Sequence, residues 1–169
     1  PDTLDLSFLS QLPSKIETLR LHIWHQSPSL LQDLPVSVKN LRLSLPGFES
    51  TSKLPDFIPS HLEYLHLDWD YPHPLPFLPQ LPDSLRIFRC TTPLRRESLS
   101  QLPKNVQYLE IIIRSRGKTP FSIIESTCPQ LQLLDLRFEH DKEIIVDVPK
   151  GMNFIAGTIP YIHFDIKSE

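Results

Sequence analysis

The stretch YLHLDWDYPH, residues 64–73, places His66, Asp68 and Asp70 at alternate positions, with His73 close behind. Histidine and carboxylate side chains ligate divalent metals and exchange protons near neutral pH. Alternation sets all three on one face of an extended strand. A working site also needs a second cluster brought from elsewhere, and the chain shows none. HIWH, residues 22–25, sets His22 and His25 three apart; a surface aromatic patch around Trp24 is the simpler reading. RSRGK, residues 114–118, is a basic turn that suits phosphate or an acidic protein, and equally a solvated loop. Cys90 and Cys128 have neither metal spacing nor a histidine or carboxylate placed to activate a nucleophile. Four glycines leave little room for a phosphate-cradling loop. These residues point away from an enzyme and imply no metal or other cofactor.

Composition bounds the remaining classes. The chain has 169 residues, enough for one domain with a real core. Hydrophobic residues make up 40% and charged residues 22%, as in soluble globular proteins. A net charge of −3 argues against nucleic acid and against an acidic membrane as partners. No apolar run approaches the roughly 18 residues that cross a bilayer. The two cysteines form no disulfide framework, and Asn40, Asn105 and Asn153 open no glycosylation sequon. Both features favour a reducing, intracellular setting. The chain begins at Pro1, so it is expected to be a fragment or processed product of a longer protein. Its unusual feature is 18 prolines in a leucine-rich sequence, recurring at steady intervals.

Those prolines mark a repeat. LSQLPSKIETLRLHI, from Leu9 to Ile23, returns as LSQLPKNVQYLEIII, from Leu99 to Ile113. Aligned on the Leu-Pro step, the unit is L-P-x-x-L-x-x-L-x-L-x-apolar. Six copies fit it, with key positions Leu19, Leu41, Leu65, Phe88, Leu109 and Leu134 spaced 22, 24, 23, 21 and 25 apart. In the sixth copy Cys128 replaces leucine, and the pattern runs one residue early. The L-x-L-x-apolar part alternates, which predicts a short strand with one buried face. One such strand cannot bury that face alone; stacked side by side, the strands make a parallel sheet over a continuous core. Between strands, Ser27-Pro28, Thr92-Pro93 and Thr119-Pro120 each read as a helix N-cap followed by proline at the first helical position. The connections have room for one or two helical turns, each turning an apolar residue (Leu31, Leu99 or Ile124) inward. Residues 143–148 and 161–166 alternate as further strands. Val148-Pro149 followed by Met152 and Ile155 reads as a degenerate closing unit.

The pattern resembles the leucine-rich repeat family over residues 9–140, with a degenerate repeat or cap at 141–169. It departs in one respect. Where the family ladders asparagine or cysteine after the strand, this chain has Trp24, Pro46, Asp70, Pro93, Arg114 and Glu139. Its Leu-Pro register is similar to FNIP-type repeats and to those of bacterial effector ubiquitin ligases. The resemblance implies an α/β repeat solenoid over 1–169. The sheet would line the concave side of an arc, with short helices, 3-10 turns and extended segments on the convex side.

Residues between the buried leucines should then form outward columns. The first is Thr18, Asn40, Tyr64, Ile87, Tyr108 and Leu133. The second is Arg20, Arg42, His66, Arg89, Glu110 and Asp135. The third is His22, Ser44, Asp68, Thr91, Ile112 and Arg137. Tyrosine, arginine and exposed apolar residues are the composition of a protein interface. The expectation is a non-enzymatic module that binds a partner protein through Arg20, Arg42, Tyr64, His66, Asp68, Arg89, Tyr108, Glu110, Asp135 and Arg137. The resemblance adds an alternative: the substrate-recognition part of a ubiquitin-ligase component, of F-box or bacterial-effector type, acting in the cytoplasm or in a host's cytoplasm. An enzyme site on the strand bearing His66, Asp68 and Asp70 is the third reading.

Overall fold

A computed structural model describes residues 9, 11–22, 31, 34–45, 58–68, 78, 80–113, 121–138, 144–146, 153–156 and 164–166. Among the described residues nine strands follow one another: β1 (Thr18–His22), β2 (Asn40–Ser44), β3 (Tyr64–Asp68), β4 (Ile87–Leu94), β5 (Tyr108–Ile113), β6 (Leu133–Phe138), β7 (Ile144–Val146), β8 (Asn153–Ala156) and β9 (Phe164–Ile166). A 3-10 turn, Arg96–Gln101, follows β4, and one α-helix, α1 (Phe121–Thr127), follows β5. Strands β1 to β6 and then β8 form a parallel sheet in chain order, and β7 pairs with β9 in a second, two-stranded parallel sheet. The architecture is a repeat solenoid, each unit adding one strand to the edge left by the one before.

Each unit is built in three steps. First, in three of the units a leucine three residues before the Leu-Pro step accepts from the leucine of that step. The bonds run from Leu12 N to Leu9 O, Leu34 N to Leu31 O and Leu102 N to Leu99 O, at 3.3, 3.5 and 3.3 Å. Second, the proline carbonyl accepts from the apolar residue three places on, closing a turn. This holds for Ile16, Val38, Leu62, Leu85 and Val106 at 3.0–3.4 Å. In the sixth unit Cys128 O takes that role for Leu131 N at 3.1 Å, so the proline moves to the second turn position and the strand comes one residue sooner. Third, one carbonyl just before each of β1 to β5 accepts two successive N–H groups of the next unit. Glu17 O takes Lys39 and Asn40, Lys39 O takes Glu63 and Tyr64, Glu63 O takes Arg86 and Ile87, Arg86 O takes Gln107 and Tyr108, and Gln107 O takes Gln132 and Leu133, all at 2.8–3.1 Å.

The alternation then buries one face. Leu41, Leu65, Phe88, Leu109 and Leu134 stack in one row and Leu43, Leu67, Cys90, Ile111 and Leu136 in the next, all at 2% exposure or less. A leucine taken from water into such a row stabilises the fold by roughly 1.5–3 kcal/mol. The connections close the other side with Leu31, Leu99 and Ile124, as their inward positions predict. Helix α1 packs against the 3-10 turn.

Two expectations are corrected. Thr92-Pro93 does not start a helix: both residues belong to β4, and the 3-10 turn starts at Arg96 after Arg95, which makes no side-chain cap. Beside β5 the register jumps from Cys90–Ile111 to Pro93–Ile112, a bulge of two extra residues. Burial still alternates along all eight residues of β4, because an insertion of two leaves the pleat in phase. Proline is tolerated there because a bulge relieves it of a ladder bond. The seventh unit is also shifted. Phe154, not Ile155, stands opposite Leu134, and Ile155 stands opposite Asp135. The interval from Pro149 to Phe154 equals that from Pro129 to Leu134, so this unit follows the shortened spacing of the sixth. Ser27-Pro28 and Thr119-Pro120 lie outside the described residues, as do Trp24, His25, Asp70, His73 and residues 114–118.

Candidate functional site

The strand register sets the outward residues side by side. Thr18, Asn40, Tyr64, Ile87, Tyr108 and Leu133 are successive partners, as are Arg20, Arg42, His66, Arg89, Glu110 and Asp135. The third column holds His22, Ser44 and Asp68. Thr91 continues it through a hydrogen bond from its Oγ1 to Asp68 Oδ1 at 2.9 Å. It does not meet Ile112, which stands opposite Pro93 because of the bulge.

These columns are not uniformly exposed. His66, Glu110 and Asp135 are 5%, 4% and 7% exposed. Arg20 is exposed, while Arg42, Tyr64, Asp68, Arg89, Tyr108 and Arg137 are half-buried.

Over β4 to β6 the charges satisfy one another. Glu110 lies between Arg89, whose Nε is 2.5 Å from Oε2, and Arg137, whose Nη2 is 3.2 Å from Oε1. The Arg89 contact is an ion pair whose N–H is not aligned for a hydrogen bond. Tyr108 donates its hydroxyl to Glu110 Oε2 at 3.3 Å. Arg137 Nη2 also lies 3.2 Å from Asp135 Oδ2. Burial alone would push the Glu110 carboxyl up, but Arg89, Arg137 and the Tyr108 hydroxyl together hold it below the usual glutamate range. Contact with Glu110 raises Arg89, contact with Asp135 raises Arg137, and burial followed by the Glu110 charge raises the Tyr108 phenol.

Over β1 to β3 the charges are less well met. Arg42 reaches Asp68 only at 3.8 Å, and its Nε is a buried nitrogen without a hydrogen-bond partner. His66 Nε2 is likewise buried and unpartnered. Burial, then the charges of Arg42 and Arg89, hold the His66 imidazole below its ordinary value; Asp68 and Glu110 pull the other way without winning. Arg20 has no ion-pair partner among the described residues. An open groove of about 430 Å³ lies on these strands, lined by Thr18, Leu19, Arg20, Asn40, Arg42 and Tyr64. Asn40 donates to Thr18 Oγ1 along it at 3.3 Å.

Of the ten residues singled out from sequence, the fold gathers seven (Arg42, Asp68, Arg89, Tyr108, Glu110, Asp135 and Arg137) into ion-pair and hydrogen-bond groups, with His66 between Arg42 and Arg89. Arg20, Arg42 and Tyr64 share the groove. Sequence reasoning missed Leu19 as a surface residue. It occupies a core position but is only half-buried, because β1 is the edge of the described sheet. Among the described residues no three His, Cys, Asp or Glu side chains gather as a metal ion would require. No described helix is long and apolar enough to cross a membrane. The chain matches no known protein-family profile, no curated protein and no solved structure.

Proposed function

We propose that the protein is a non-enzymatic interaction module of leucine-rich-repeat type, its sheet lining the concave side of an arc that binds a partner protein. The observation that carries this reading is the groove on β1 to β3, where an aromatic ring, two guanidiniums and a half-exposed leucine share one open depression. Tyrosine and arginine are the residues most often responsible for binding energy at protein interfaces, and a solenoid presents them on a rigid, repeated frame. The free, buried thiols of Cys90 and Cys128 support a reducing, intracellular setting.

The test is quantitative affinity capture from cell extract, comparing wild type with a variant carrying Arg20→Ala, Arg42→Ala and Tyr64→Ala. None of these residues is a partner of Glu110, but Tyr64 contacts Arg89, so circular dichroism checks that the fold survives the substitutions. A control carries Lys15→Ala and Glu97→Ala, both at exposed positions. Proteins retained by wild type and control should be lost from the groove variant. If every retained protein survives the three substitutions, the groove on β1 to β3 is not the binding surface.

A further inference from the structure

Among the described residues, one face of this sheet divides into a half whose charges are met from within and a half whose charges are less well met. On β4 to β6, Arg89 and Arg137 close on Glu110 from the strands either side of it, and Arg137 also holds Asp135. On β1 and β2, Arg20 and Arg42 stand side by side in the same column, yet among the described residues no carboxylate lines the groove they border. Arg42 has only the distant Asp68, whose other oxygen is committed to Thr91. Beside Arg42, the buried His66 Nε2 has no hydrogen-bond partner among the described residues.

We propose that the Arg20–Arg42–Tyr64 groove receives an acidic protein segment, one carboxylate of which bridges Arg20 and Arg42 as Glu110 bridges Arg89 and Arg137. This rests on the interaction-module reading and names its partner's chemistry. Guanidiniums favour carboxylates because two parallel N–H groups match two oxygens, and such charge-assisted bonds are the stronger ones. The Tyr64 ring supplies an apolar surface beside the charge, which suits a peptide carrying acidic and apolar residues together. Arg20 and Arg42 both line the groove, so their guanidiniums are the donors that a seated carboxylate would meet.

Fluorescence anisotropy with three labelled probes tests this: a peptide rich in glutamate and leucine, the same peptide with every glutamate replaced by glutamine, and a single-stranded oligonucleotide of matched charge. The glutamate peptide should bind at least about tenfold more tightly than its glutamine counterpart. Arg20→Gln with Arg42→Gln should remove that preference, and Lys15→Gln with Lys104→Gln, which changes net charge equally, should leave it. Equal binding of the two peptides, retention of the preference by the arginine variant, or tighter binding of the oligonucleotide overturns the acidic-segment assignment. If the peptides are not discriminated but the capture experiment still loses its proteins in the groove variant, the module reading stands and only the acidic chemistry falls.

Discussion

Arg89 on β4 and Glu110 on β5 stand 2.5 Å apart across two neighbouring strands, the carboxylate 6% and the guanidinium 37% exposed. Such a pair is asymmetric: the arginine retains water, while the glutamate depends on its protein partners. Removing the carboxylate's charge by Glu110→Gln should therefore destabilise the fold by about 1–3 kcal/mol in urea unfolding. The pH dependence follows from the direction of its shift. Glu110 is held below its unfolded value, so its contribution is complete above the ordinary glutamate range and fades as pH falls through the lowered folded value. Glu110→Gln should flatten that acid limb; an unchanged limb would show that the cluster contributes nothing.

His66 gives a second limb at higher pH. It faces Arg42 on β2 and Arg89 on β4, with Asp68 on its own strand and Glu110 on β5. Burial and the two arginines depress its folded value, so stability attributable to it is complete above the unfolded value of 6.5 and declines as pH drops below that. Proton NMR should show its imidazole titrating below 6.5, and His66→Gln should flatten the stability curve just under that pH. Titration at or above 6.5 would contradict the arrangement.

The two thiols should be silent in the folded protein. Burial pushes Cys90 to about 12 and Cys128 to about 11. At mildly alkaline pH almost no thiolate forms, and reagent cannot reach either sulfur. Labelling with a thiol-specific disulfide reagent should accelerate across the urea transition and follow it. Rapid labelling of either cysteine without denaturant would place that residue outside the core.

Core rungs should be far more sensitive than turn tips. Leu65→Ala, in the middle of the sheet, should cost roughly 2–5 kcal/mol. Val36→Ser, at a residue 81% exposed, should change stability by less than about 0.5 kcal/mol. Differential scanning calorimetry of both variants checks the contrast, and comparable losses would mean the rungs do not share one core.

Much of this was readable from the chain because the buried positions obey a strict rule. Leu41, Leu65, Phe88, Leu109 and Leu134 recur at nearly constant spacing, and side-by-side stacking is the arrangement that buries all of them. What escaped was settled between strands. Thr92-Pro93 carries a sound local helix-start signal, but pairing with β5 outweighed it. The one-residue shift at Phe154 depended on a turn whose shortened form had appeared only once before. The outward columns were legible as directions, not as surroundings. Glu110 and Arg20 belong to the same column and read alike, yet one is enclosed by two arginines and the other stands open, a difference set by the residues on either side.

The forked carbonyl before each strand has a consequence for how such a chain changes over generations. The fork is made wholly of main-chain atoms, so the junction between two units does not depend on which side chains flank it. Glu17, Lys39, Glu63, Arg86 and Gln107 provide the same acceptor despite carrying acid, base and amide. A unit can therefore be copied or lost whole, and the seam rejoins with the same two donors and one acceptor. Selection is then free to rewrite the outward letters of each rung while the joinery stays as it is.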